Sequence, residues 1–175
     1  MDTTLASLSS QVGELLRRRG WLLATAESCT GGWVAEAVTA TAGSSAWFDC
    51  GWITYSNEAK QALLGVTDAT LHRHGAVSEA TVAAMVAGAL ARCQANLALA
   101  TSGIAGPGGG SENKPVGTVC FAWGLRGGAT DTATCHFVGD REAVRRQAVA
   151  HALTVVLERY GEAPPAGASH AKSVP

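Results

Sequence analysis

Residues 26–32 read Ala-Glu-Ser-Cys-Thr-Gly-Gly and set two potential nucleophiles, Ser28 and Cys29, side by side. A strand-like apolar run enters this turn over 21–25, and an alanine-rich helical pattern leaves it at Trp33. Main-chain N–H groups at a helix start have no intrahelical acceptor and carry partial positive charge. They therefore attract anions and the oxyanion that forms during acyl transfer. Taken alone, the stretch also reads as a capped turn, with Ser28 or Thr30 closing the helix and Gly31 and Gly32 bending the chain. Cys29 is the rival nucleophile, because a helix start favours the thiolate; its plainer reading is a small buried apolar residue.

A serine hydroxyl reacts only when a neighbouring base takes its proton, and a desolvated lysine can be that base. Lys60 falls in the first turn or so of a predicted helix over 57–64, close to Tyr55 at the end of a predicted strand. By itself it also reads as a solvated helix lysine. The histidines are less suitably spaced. His72 and His74 flank Arg73 in a polar turn, His136 falls in a hairpin, His151 inside a helix and His170 in the C-terminal tail. A Ser/Lys pair is thus preferred to a Ser/His/Asp triad. The loop from Ser102 through Gly103, Gly106 and Gly110 could wrap a phosphate with its amides, since glycines permit close approach. It is not a Walker loop, because Lys114 is followed by Pro115 and the glycine spacing differs. Arg141, beside Asp140 at a helix start, could hold a phosphate or carboxylate bidentately, or pair with Asp140 or Glu142 on the surface.

The elements that must position these residues can be read in order. Leu5, Leu8, Val12, Leu15 and Leu16 define one face of a helix over 4–19 that stops at Gly20. Strands are predicted over 21–26, 47–55 and 97–101, the last wholly apolar and thus buried on both faces. Helices are predicted over 33–42, 57–64 and from the Ser78 cap to about Gln94, with a turn-and-helix segment ending at Gly75. Residues 116–125 and 129–138 read as a β-hairpin, and Asp140 caps a final helix reaching Tyr160. Strands alternating with helices, then a hairpin, indicate an α/β fold: a three-layer α/β/α sandwich with a mixed, mostly parallel central sheet. Loops after the strand ends of such a sheet gather on one edge. That edge would collect Ser28, Tyr55 with Lys60, Ser102 and Arg141.

The chain has 175 residues, 47% hydrophobic and 15% charged, with a net charge of −1. It is expected to form one domain over residues 1–161; the segment 162–175, with Pro164 and Pro165, has nothing to bury and is expected to be disordered. The only basic run is Arg17-Arg18-Arg19, so nucleic acid is not an expected partner. No apolar run reaches membrane-spanning length and the N-terminus lacks a signal core, so no membrane association is expected. Five scattered cysteines without a C-x-x-C pair argue for reduced thiols, a cytoplasmic location and no zinc site.

In series, these segments resemble the CinA C-terminal-domain family. The matching stretches are AESCTGG at 26–32, GSS at 43–45, GWITYSNEAK at 51–60, GAVSE at 75–79, SGIAGP at 102–107, KPVGT at 114–118 and GDREAVR at 139–145. They span almost all of residues 5–160. The resemblance implies hydrolysis of the carboxamide of nicotinamide mononucleotide, within pyridine nucleotide (NAD) recycling, by a Ser/Lys pair without metal or other cofactor. It implies Ser28 as nucleophile and Lys60 as base, with Ser45 the second choice for the acylated serine. Tyr55, Ser45 and Ser102 would line the centre, and Arg141 would assist polarisation or bind phosphate. Glu27 would orient Ser28 or Lys60, and amides at Thr30, Gly31 and Gly32 would hold the oxyanion. Gly103 and Gly106 would approach the substrate. The family commonly has threonine where Ser102 stands. Larger members carry an additional N-terminal domain of molybdopterin-binding type, and self-association is usual, which suggests a homodimer or higher homo-oligomer here.

Overall fold

Two rows of side chains, one bulky and one small, set the layering of this protein, which is described over residues 2–161 by a computed structural model. The tail expected to be disordered lies outside the described residues. Five strands, β1 (Leu23–Glu27), β2 (Phe48–Ile53), β3 (Leu97–Gly103), β4 (Thr118–Leu125) and β5 (Thr130–His136), form one sheet in the order β2-β1-β3-β4-β5. β1 is parallel to both β2 and β3, and β4 is antiparallel to β3 and β5. Four strands therefore run the same way and β4 alone is reversed, which is the mixed, mostly parallel sheet expected.

Bulky side chains of the central strands (Leu23, Leu97, Leu99, Phe121, Trp123) all belong to one core. That core is completed by helices α1 (Thr3–Arg19), α2 (Trp33–Thr39) and α6 (Arg141–Tyr160). On the other face stand Ala24, Ala26, Ala98, Ala100 and Ala122, against α3 (Asn57–Leu64), α4 (Asp68–His74) and α5 (Glu79–Leu90). Alanines let α5 come close. A Cβ added at Gly124 of β4 would lie 2.6 Å from Val86 Cγ1, and one at Gly88 only 1.9 Å from the Leu64 carbonyl oxygen. Burial of these two apolar faces supplies the main driving force, on the order of 25 cal/mol per Å².

Most helix termini are closed by side chains or glycines, Ser56, Ser78 and Asp140 being the caps the sequence suggests. Asp2, Ser56, Thr67, Ser78 and Asp140 each accept main-chain N–H bonds as N-caps, and Gly20 and Gly65 end α1 and α3 in left-handed conformation. α2 differs. Its start is Gly32, which has no side chain to cap it.

Candidate active site

At the carboxyl ends of β1, β2 and β3 the connections converge on a cavity of about 210 Å³. It is lined by Ser28, Cys29, Tyr55, Lys60, Ala76, Val77, Ser102, Gly103, Ala105 and Arg141. Five residues singled out from sequence, Ser28, Lys60, Tyr55, Ser102 and Arg141, thus share one wall system with Gly103.

Ser28 is the first residue after β1. Its amide donates to the Thr101 carbonyl at 2.9 Å, which extends the β1–β3 pairing by one step and fixes the turn. Lys60 lies one turn into α3, and its side chain reaches back to the ends of β1 and β2. It is 1% exposed, and its Nζ lies 3.0 Å from Ser28 Oγ and 2.8 Å from the Thr54 carbonyl oxygen. Among the described residues no carboxylate forms an ion pair with it. Burial therefore lowers its pKa below the ordinary lysine value of 10.5, with Cys29 opposing the shift.

The other wall groups are held by hydrogen bonds. Arg141 donates from Nη1 to the Gly106 carbonyl at 2.8 Å and from Nη2 to the Tyr55 hydroxyl at 2.9 Å. Gly106 thus orients the guanidinium and does not line the cavity. Ser102 Oγ donates to the Ala76 carbonyl at 2.8 Å, tying the end of β3 to the segment before α5.

Glu27 and the glycine turn correct the expectation from sequence. The Glu27 carboxylate is buried at the end of β1 and does not reach Ser28 or Lys60. Its Oε2 accepts from Thr30 Oγ1 at 2.6 Å and from the amides of Gly32 and Val34 at 3.0 Å each; its Oε1 accepts from Ala35 N at 2.9 Å. Glu27 is the missing cap of α2, a charged acceptor at the positive end of the helix. The amide of Gly31 donates to the Ser28 carbonyl at 3.0 Å. Gly31 and Gly32 therefore have no N–H left for an oxyanion, and Thr30 turns its hydroxyl inward to Glu27 and to Thr101 Oγ1. Glu27, Thr30, Gly31 and Gly32 stand behind the cavity, not in its lining.

Ser45 is not brought to this cavity. It is exposed in a short 3₁₀ turn (Ser44–Ala46) that precedes β2. Because β1 and β2 are parallel, the start of β2 and the end of β1 lie at opposite edges of the sheet, about 13 Å apart along the strands at 3.3 Å per residue. The Cys29 thiol lines the cavity but is pushed up to about 12, chiefly by burial, so the helix start does not make it a thiolate.

Sequence reasoning passed over Arg145, Trp33, Ala76 and Val77. Arg145 donates from Nε to the Cys29 carbonyl at 3.1 Å and from Nη2 to the Thr30 carbonyl at 2.8 Å, with its guanidinium 5.3 Å from the Trp33 ring. It lies one helical turn after Arg141, the spacing that places two residues on one helix face. With Trp33, Arg141 and Glu142 it borders a second, open cavity of about 410 Å³ that shares Arg141 with the first.

The family model for the CinA C-terminal domain matches residues 5–160. The chain is 55% identical over 159 residues to the nicotinamide-nucleotide amidohydrolase PncC of Escherichia coli (strain K12), covering 91% of this chain and 96% of that protein. It is 51% identical over 154 residues to the protein of the same name from Pseudomonas putida, covering 88% and 96%. Among solved structures, it is similar to the competence/damage inducible protein CihA from Agrobacterium tumefaciens. That match has a TM-score of 0.88 and 42% identity, and covers 90% of this chain and 96% of that one.

Proposed function

The chain belongs to the CinA C-terminal domain family, and from that membership we propose that it is a nicotinamide-nucleotide amidohydrolase, with a Ser28/Lys60 pair as its reacting groups. The observation that carries the mechanism is the buried amine of Lys60, 3.0 Å from Ser28 Oγ and, among the described residues, without a carboxylate ion-pair partner. The substrate is nicotinamide mononucleotide and the products are nicotinic acid mononucleotide and ammonia. The names borne by relatives at 51–55% identity support that choice.

The proposed sequence of events needs only these residues and water. Neutral Lys60 takes the Ser28 proton while Oγ attacks the carboxamide carbon, and the carbonyl π electrons move to oxygen. Arg141, one turn from Arg145 and facing both cavities, is assigned to the phosphate end of the substrate. The tetrahedral intermediate collapses by breaking the C–N bond, and protonated Lys60 gives its proton to the departing nitrogen. Water then attacks the Ser28 ester, Lys60 takes one of its protons and returns it to Ser28 Oγ as the C–O bond breaks, and the acid product leaves as carboxylate after giving its proton to ammonia or solvent.

The same reading makes residues 1–161 one amidohydrolase domain acting in the cytoplasm as a homo-oligomer within NAD recycling, with no nucleic-acid or membrane partner and no cofactor. No helix among the described residues is long and apolar enough to cross a membrane. Purified protein is expected to release one ammonia per nicotinic acid mononucleotide formed. Tight binding of nicotinamide mononucleotide with no ammonia released would overturn the reading in favour of a nucleotide-binding module.

A further inference from the structure

Away from the Ser28 edge, toward the amino-terminal end of the parallel strands, the ladder is irregular. Leu23 of β1 pairs with Phe48 of β2, but Ala24 pairs with Cys50, so Asp49 has no partner and forms a bulge. Bulges are uncommon between parallel strands, and their usual consequence is to re-aim a side chain. Consecutive residues of a regular strand point to opposite faces. Here the alternation is broken: Phe48 packs in the α1/α6 core, whereas Cys50 and Trp52 pack against the α5 core. The bulge brings the Asp49 carboxylate to the side of the Cys50 thiol, where Cys93, from the connection between α5 and β3, also arrives. One ligand atom from each of Asp49, Cys50 and Cys93 lies within 4.8 Å of the other two.

Two further observations separate this cluster from incidental packing. Asp49 Oδ2 accepts the Gln94 amide at 2.9 Å, so the residue next to Cys93 fixes the carboxylate, as outer-shell donors do around metal ligands. Among the described residues no cation forms an ion pair with Asp49.

We propose that Asp49, Cys50 and Cys93 form a binding site for a thiophilic divalent cation, Zn²⁺ foremost, that fastens the edge strand β2 to the α5–β3 connection. Two sulfurs and one carboxylate suit zinc over magnesium or calcium, and a water completes four-coordination at the exposed side. Zinc–sulfur bonds of about 2.3 Å and zinc–oxygen bonds of about 2.1 Å put tetrahedral ligand atoms ~3.5–3.8 Å apart, so contraction by about 1 Å closes the shell. The expectation of no zinc site rested on the lack of a local C-x-x-C pair; the bulge and the fold supply the spacing instead.

The test is a Co²⁺ titration of the metal-stripped, phosphine-reduced full-length chain, followed by displacement with Zn²⁺. One equivalent is expected to produce sulfur-to-cobalt charge-transfer absorption that Zn²⁺ abolishes. Cys50→Ser and Cys93→Ser should each lose the band, and Asp49→Asn should weaken binding about tenfold or more. No band in the unmutated chain, or a band that survives both cysteine substitutions, overturns the proposal. Should a variant fail to fold, alkylation of the unmutated chain decides. Zn²⁺ should slow iodoacetamide labelling of Cys50 and Cys93 at least tenfold, and equal rates with and without Zn²⁺ overturn the site. A Cys50–Cys93 disulfide that forms in air despite Zn²⁺ overturns it in favour of a redox pair.

Discussion

The two ends of the parallel strands use β2 in opposite ways. At the carboxyl end the strand finishes regularly and hands the chain through Thr54 and Tyr55 to α3, so that Lys60 comes back to Ser28. Nearer the amino end the strand is broken by one extra residue, and the break gathers Asp49, Cys50 and Cys93. One end buries a single amine with no ion-pair partner among the described residues; the other gathers one carboxylate and two thiols. The first arrangement favours moving a proton, the second holding a cation. The difference lies in what each group meets among the described residues: buried Lys60 has no carboxylate ion-pair partner, and exposed Asp49 has no cation.

The sharpest way to break this contrast is to remove serines from both ends. Ser28→Ala is expected to lower kcat for amide hydrolysis by roughly 10⁴-fold or more, the scale of a lost nucleophile. Ser45→Ala, at the far edge, should stay within about twofold of the unmutated enzyme. A large loss at Ser45 in steady-state assays would show that the two edges are not independent.

Glu27→Gln sharpens the boundary of the reacting centre. The amide would turn a donor toward the α2 main chain, and the lost acceptor should cost about 1–3 kcal/mol in denaturant unfolding. Since Glu27 bonds to α2 and not to Lys60, the midpoint of the acidic limb of the pH–rate profile should not move. A shifted limb would mean that Glu27 acts on the base. The smallest effect is expected from Cys93→Ser, which should leave hydrolysis unchanged while removing any zinc-dependent rise in Tm. Slowed hydrolysis by that variant would couple two strand ends that the fold keeps apart.

The reacting edge was largely legible in the sequence because its groups travel in short motifs at strand ends, and parallel strands deliver such ends to one place. Ser28, Lys60, Tyr55, Ser102 and Arg141 were all selected for that reason, and they do share a cavity. The layers were legible too, from alternating apolar patterns and caps such as Ser56 and Asp140. What failed was the assignment of acceptors to donors. A capless turn at Gly31 and Gly32 resembles an oxyanion site until the acceptor arrives from the preceding strand, and Glu27 is that acceptor. Ser45 was misjudged because a loop before a strand and a loop after one look alike in a linear string. Asp49 was invisible, since a one-residue bulge leaves no periodic trace, and the approach of Cys93 depends on α5 ending at Leu90.

The central claim, that a neutral buried Lys60 drives hydrolysis at Ser28, is tested most directly by the pH dependence of kcat/KM for nicotinamide mononucleotide in the unmutated enzyme and in Lys60→Met. Desolvation holds the folded-state pKa below the unfolded 10.5, so the base form fills as pH rises through that lowered value. In the window between the two values the unfolded chain holds one more proton than the folded one, and stability also rises with pH. The account predicts a kcat/KM that climbs to a plateau with a midpoint below 10.5. It also predicts a folded Lys60→Met variant that is slower by about 10²–10⁴-fold, without that limb and without the rise in stability. A folded Lys60→Met variant that keeps the limb and near-normal turnover would contradict it.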